Sequence, residues 1–229
     1  HDAYRKSAIS RVSNELVRSF WVDEFGRWKP VDRTQFIASL QNKLGAILTS
    51  PQCQAILGQP RGKLHLRSFM DEGRILIVNL SKGRTGENVS GLLGSLLIAS
   101  LQTAAMSRAD TPENERRDFF VFVDEFQNFA TESFGQILSE ARKYRLSLTL
   151  ANQFLDQIAD DGTLAAVFGN VGSLLCFQVG AADAEILAEQ LGPPVTPNDL
   201  RSLPQFQACA RLLINGLPSR PFSLRTIAP

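Results

Sequence analysis

Residues 119–127 read FFVFVDEFQ, and this stretch decides the fold. Phe119 to Val123 is an unbroken apolar run of aromatic and β-branched residues, which predicts a short strand buried on both faces. The run stops at Asp124 and Glu125. A strand that ends this way puts carboxylates at the carboxyl edge of a sheet, where open α/β folds form their ligand crevice. An acidic pair there suits nucleotide chemistry: the first carboxylate holds a hydrated Mg²⁺, and the second orients or deprotonates an attacking water.

Outward from this strand the pattern alternates. Upstream, Leu64–Leu66 reads as an edge strand and Arg74–Leu80, RILIVNL, as a second buried strand. Between them and the central strand lies GLLGSLLIASLQTAA, Gly91–Ala105, shorter than the ~20 apolar residues a membrane span needs and interrupted by Ser, Gln and Thr. It predicts a buried helix running to about Ser107. Downstream, a helix over Ser133–Tyr144 leads to a strand at Leu146–Leu150, LSLTL. Helical patterns follow at Phe154–Ala159 and Leu164–Phe168, then a strand at Ser173–Val179 and a helix at Ala182–Gln190. A proline-rich turn, GPPVTPND, precedes two closing strands, Phe206–Ile214 and Phe222–Thr226. Strands alternating with helices predict βαβ units, hence an α/β fold with a mainly parallel sheet flanked by helices.

Residues before Gly62 have a different character. Ile9, Val12, Leu16 and Phe20 recur at helical spacing and predict one helix over Ala3–Asp23. A second is predicted from Asp32, where Asp32 and Gln35 have capping-box spacing, through Phe36, Ile37, Leu40, Leu44 and Leu48 toward Pro51. A short helix over Gln52–Leu57 ends at Gly58. The chain therefore divides into an all-helical segment, residues 1–62, and an α/β segment, residues 63–229. Trp21, Phe25 and Trp28 read as packing between helices in preference to base stacking.

With a net charge of +1 over 229 residues, there is no global basic field, so any nucleic-acid contact is local. Lys82–Arg84 is one basic loop for such a contact, but it reads in preference as a solvated loop. Cys53, Cys176 and Cys209 lack metal-ligand spacing and read as small buried residues of a cytoplasmic, reducing compartment. The only histidines, His1 and His65, sit in no catalytic pattern, which argues against a small-molecule enzyme built on a histidine base. The chain opens HDAYRKSAIS, without a leader pattern or an initiator Met, and reads as a fragment or a processed chain.

Further residues fall where phosphoryl transfer needs them. LSLTL ends in Ala151, Asn152 and Gln153, and an amide at that tip is placed to sense a γ-phosphate or the attacking water, while Asn152 also reads as an N-cap for a helix starting at Phe154. Arg142, Lys143 and Arg145 lie at the end of the Ser133 helix, suited either to an arginine finger reaching a neighbouring subunit or to complementing the helix dipole.

The run DFFVFVDEFQNFATESFGQILSEARKYRLSLTLANQ resembles the Walker B to sensor region of the conjugative coupling proteins and the related HerA and FtsK-like ATPases. The resemblance extends back through DEGRILIVNLSKGRTGENVSGLLGSLLIASLQTAAMSR and forward to PSRPFSLRTIAP, and residues before Gly62 are similar, more loosely, to an all-helical insertion in that core. It implies a partial RecA-like, P-loop NTPase fold and a hexameric ring that uses ATP and Mg²⁺ to move DNA, with secretion or DNA-processing proteins as further partners. It also implies that any inner-membrane anchor lies upstream. By the same resemblance, Asp124 is the Mg²⁺-coordinating aspartate, Glu125 the catalytic glutamate, Arg142 the intersubunit finger with Arg145 second, and Gln153 the sensor. The sequence departs from the family in lacking any G-x-x-x-x-G-K-[ST] phosphate loop; SKGRTGENVSG reads as a loop turned by Gly86. In the family that loop precedes the helical insertion, so the expectation is the C-terminal part of a larger ATPase, inactive without the missing piece. The alternative is a degenerate RecA-like domain that acts as a non-catalytic assembly module.

Overall fold

In the computed structural model, which describes residues 2–130, 132–158 and 161–227, the chain forms two units, one ending at Arg61 and one beginning at Gly62. The side chains of residues 2, 39–44, 46, 47, 132–134, 136 and 161 also lie outside the description.

The first unit is helical. The helix expected over Ala3–Asp23 is broken in two: α1, Asp2–Ile9, and α2, Glu15–Ser19. Asn14 interrupts it as an N-cap, its Oδ1 accepting from the amides of Leu16 and Val17. The chain continues as a π-helical turn, Phe20–Glu24, and a 3₁₀ turn, Phe25–Arg27. Next, α3, Pro30–Leu48, starts two residues before Asp32, because proline's fixed φ suits the first helical position. The side chains of Leu40 and Leu44, in its expected stripe, lie outside the description. Ser50 caps α4, Pro51–Leu57. Trp21 and Trp28 pack on Phe25 with ring centroids 4.9 and 5.2 Å apart, and Arg33 covers the same ring at 5.2 Å.

The second unit opens with α5, Leu66–Glu72, in place of the edge strand expected at Leu64–Leu66. Gly73, at φ 66°, ends it in the left-handed conformation, and the Arg117 guanidinium occupies the space a Cβ would need there. Arg74–Leu80 carries none of the ladder that defines a strand. It starts beside Arg117, just ahead of Phe119, and ends at Leu80, whose carbonyl accepts from Ser90. Leu76 packs on the core, whereas Ile75 and Ile77 are 86% and 90% exposed.

After a short helix, α6, Lys82–Thr85, Gly86 turns the chain at φ 80° into α7, Glu87–Ser107. By length and composition this region could cross a membrane. Only 28% of it is buried, so the buried helix expected here is corrected to one packed along a single side, with Leu93, Leu101 and Ala105 in the core and Leu96 and Met106 exposed. At its end Arg108 is fully buried and donates to the carbonyls of Tyr144 at 3.0 Å and Arg117 at 2.6 Å.

Two strands follow, β1, Phe119–Val123, and β2, Leu146–Leu150, paired in parallel with Phe119 opposite Leu146 and Val123 opposite Leu150. Between them lie α8, Glu132–Glu140, and a tighter 3₁₀ turn, Ala141–Tyr144. The expectation that β1 is buried on both faces is corrected: Phe120 and Phe122 are 62% and 76% exposed, because only one face of this small sheet is covered by helices of the chain.

The remaining elements are a 3₁₀ turn at Leu155–Gln157, α9 (Asp161–Asn170), β3 (Leu174–Cys176), α10 (Ala181–Leu191) and α11 (Pro197–Arg201), the last capped by Thr196 within the turn-like GPPVTPND. Ala159 lies outside the described residues. The expected strand Phe206–Ile214 divides into β4, Gln207–Arg211, and β5, Leu213–Ile214. Asn215 and Gly216, both at positive φ, then turn β5 into β6, Leu217–Pro218, and β7, Phe222–Arg225, closes the chain. Sheet order β3-β4-β7 is antiparallel throughout. A mainly parallel sheet is thus corrected to a mixed fold in which, among the described residues, only β1 and β2 pair in parallel. One core, with Met70, Leu101, Phe126, Ile137, Leu191 and Leu200 at its centre, lies under the β1–β2 pair and the β3-β4-β7 sheet.

Candidate functional site

The parallel register brings the carboxyl ends of β1 and β2 to the same edge, and two main-chain bonds extend the pairing past the strands. Ala151 N–H donates to Val123 O at 2.9 Å, and Phe126 N–H to Ala151 O at 3.1 Å. Phe126, only 2% exposed, anchors the loop in the core and starts the 3₁₀ turn Phe126–Asn128. Glu125, between strand and turn, sits at φ 49° and ψ 47°. For a residue with a Cβ this left-handed conformation costs about 1–2 kcal/mol, a strain found most often at functional positions.

The side chains converge on Glu125. Gln153 Nε2 donates to its Oε1 at 3.0 Å, and Asn128 Nδ2 to its Oε2 at 3.2 Å and its main-chain O at 3.1 Å. Asp124 Oδ1 accepts the Glu125 N–H at 3.0 Å. The acidic pair and the sensor-position amide predicted from sequence therefore meet at one sheet edge. Asn152 does not cap a helix: its Nδ2 donates to Phe154 O at 3.2 Å. Beside this edge a shallow cavity of about 370 Å³ is lined by Phe154, Asp156, Gln157 and Asp183, and Gln127 Nε2 donates to Gln157 Oε1 at 2.9 Å.

Arg142 and Arg145 lie at the opposite end of the strands. Arg142 is in the 3₁₀ turn before β2, and Arg145, at φ 57°, pairs with Asp118 at 3.4 Å. Phe119 N–H donates to Arg145 O at 2.9 Å, fixing that end of the sheet. Five strand residues separate it from Glu125, roughly 16 Å at ~3.3 Å per residue. Within one chain these arginines do not join the carboxylates. Lys82, from the basic loop, is paired with Glu87 at 3.0 Å.

Sequence reasoning missed Asn128. Its only signal was an amide three positions after Glu125, a spacing that becomes a contact once the chain makes a 3₁₀ turn. As a fit for a metal, the edge offers Asp124 alone, and no cluster of three or more metal-ligating side chains occurs among the described residues. One carboxylate is enough for Mg²⁺ that keeps its waters and takes its other ligands from phosphates. A phosphate cradle is not among the residues of this edge.

No protein-family model matches the sequence, and no curated protein matches it. Among solved structures, the bacterial conjugative coupling protein TrwBdeltaN70, in an unbound monoclinic form, is similar in fold, with a TM-score of 0.55 at 17% identity. The match covers 76% of this chain and 45% of TrwBdeltaN70, so the chain spans less than half of that protein's length.

Proposed function

We propose that this chain is the Walker B half of a RecA-like ATPase core, part of an oligomeric motor that moves DNA. The observation that carries the reading is Glu125, held in a left-handed conformation at the carboxyl end of β1 with its carboxylate against Gln153 from the tip of β2. Likeness to a coupling protein over 76% of the chain supports it. The exposed side of the sheet supports it too. A parallel pair with Phe120 and Phe122 facing solvent has the apolar surface that a larger α/β core covers with further elements.

In this reading Mg²⁺-ATP would supply the reactive phosphoryl group. Asp124 would hold the ion through water, and Glu125 would orient a water and take its proton. Gln153 couples Glu125 to events at the tip of β2. Arg142, at the opposite end of the strands in its own chain, serves a neighbouring subunit's site, with Arg145 second. The setting is the cytoplasm.

Glu125→Gln tests this in the product of the complete reading frame. Hydrolysis is expected to fall by roughly 10²-fold or more while nucleotide binding stays within about twofold. Unchanged turnover rejects the role. If the wild-type protein binds no nucleotide, the non-catalytic assembly module is the better reading, and the uncovered apolar face is the observation that favours it.

A further inference from the structure

The carboxylate of Glu125 is gripped at both oxygens by neutral amides, and the two grips differ in kind. Asn128 belongs to a turn that cannot easily move: Phe126 is buried beneath it, and the Phe129 ring lies against Gly94 of α7 so closely that a Cβ at Gly94 would stand 2.2 Å from the ring. From this turn Asn128 makes three bonds to Glu125, its main-chain N–H to Glu125 O at 3.0 Å and its side-chain amide to Glu125 O and Oε2. Gln153, in contrast, sits exposed on the loop after β2 and holds only Oε1.

We propose that Asn128 is a positioning residue that keeps Glu125 in its left-handed conformation and pins Oε2, leaving Oε1 as the single oxygen that becomes available when Gln153 lets go. Rotation of Gln153 away from Glu125 then exposes one defined lone-pair direction to a water, without freeing the side chain. The role of that oxygen as a base rests on the function proposed above; the clamp itself does not.

Two measurements separate the clamp from the function. In the ¹H–¹⁵N spectrum of this chain, Glu125→Gln is expected to shift the side-chain amide resonances of both Asn128 and Gln153, because both lose the charged acceptor; an unmoved Asn128 amide overturns the clamp. In the product of the complete reading frame, Asn128→Ala is expected to lower kcat by about 10-fold or more, with KM for Mg²⁺-ATP within about twofold. Asn128→Asp keeps the size but exchanges the donor for a carboxylate facing Glu125 Oε2, so it should fall at least as far, and a native-like ¹H–¹⁵N spectrum of either variant guards against a folding artefact. A kcat within about twofold of wild type in both variants overturns the proposal. If wild type hydrolyses no ATP, the function fails and the amide shifts alone decide the clamp.

Discussion

Gln153 Nε2 and Glu125 Oε1 are 3.0 Å apart although 28 residues separate them in sequence. Parallel pairing of β1 and β2 in the register Val123 to Leu150 makes this contact, because it lets both chains leave the sheet at the same edge. The turn that follows Glu125 is held from below, by Phe126 in the core and Phe129 against α7, so stability and site geometry are coupled there.

Gly94→Ala tests that coupling. The new methyl group would meet the Phe129 ring at 2.2 Å, which forces the ring and its turn outward. Overpacking of this kind costs about 1–3 kcal/mol, more than the ~1 kcal/mol that alanine gains over glycine in a helix. Urea denaturation should show a net loss, accompanied by shifts in the Glu125 and Asn128 amide resonances. A variant as stable as wild type with an unmoved spectrum contradicts the packing described.

Arg108 joins the start of β1 to the turn before β2. Its guanidinium is fully buried, satisfies the carbonyls of Tyr144 and Arg117, and lies 3.0 Å from Asp71 as a charge contact without an aligned hydrogen bond. Arg108→Ala removes two buried donors and should lower unfolding free energy by about 3 kcal/mol, read from the urea midpoint. A change under about 0.5 kcal/mol, typical of a surface site, would contradict it.

Phe120 and Phe122 behave oppositely. Both are mostly exposed, so the double change to serine should alter the stability of this chain by no more than about 0.5 kcal/mol. It should also reduce binding of a hydrophobic dye. In the product of the complete reading frame, where the proposed function has this face covered, the same change should cost several kcal/mol, about 3–5 for each fully buried Phe. Equal effects in the two proteins would mean that the face is solvent-exposed in both.

How much of this was legible in the sequence depends on what each feature requires. FFVFV and LSLTL announced their strands because short, dense β-forming runs bounded by polar residues have few alternatives. RILIVNL has the same composition yet forms no ladder, since pairing depends on neighbours that a local pattern cannot describe. The exposure of Phe120 and Phe122 was hidden for the same reason: an apolar run states what a strand can bury, not what is present to bury it. Asp124, Glu125 and Gln153 were legible from their position at strand ends. Asn128 was not, because its contact exists only through the left-handed Glu125 and the turn after it.

Cys176 gives a pH dependence. Burial, reinforced by Cys209 and Asp183, pushes its thiol from an ordinary 9.0 up to about 11. In the unfolded chain the thiol ionises near 9.0, so above that pH the native state holds a proton that the unfolded state has released. This contribution to stability is present in full below pH 9.0 and is lost as pH rises toward about 11. Urea midpoints measured across that window should fall less steeply for Cys176→Ala than for wild type; parallel curves would contradict the assignment.

The central claim is tested most directly by Mg²⁺-ATP hydrolysis, with and without DNA, for this chain beside the product of the complete reading frame. The account predicts that this chain alone is inactive and that the complete product hydrolyses ATP, faster when DNA is added. Hydrolysis by neither protein, under conditions where both are folded, would contradict it.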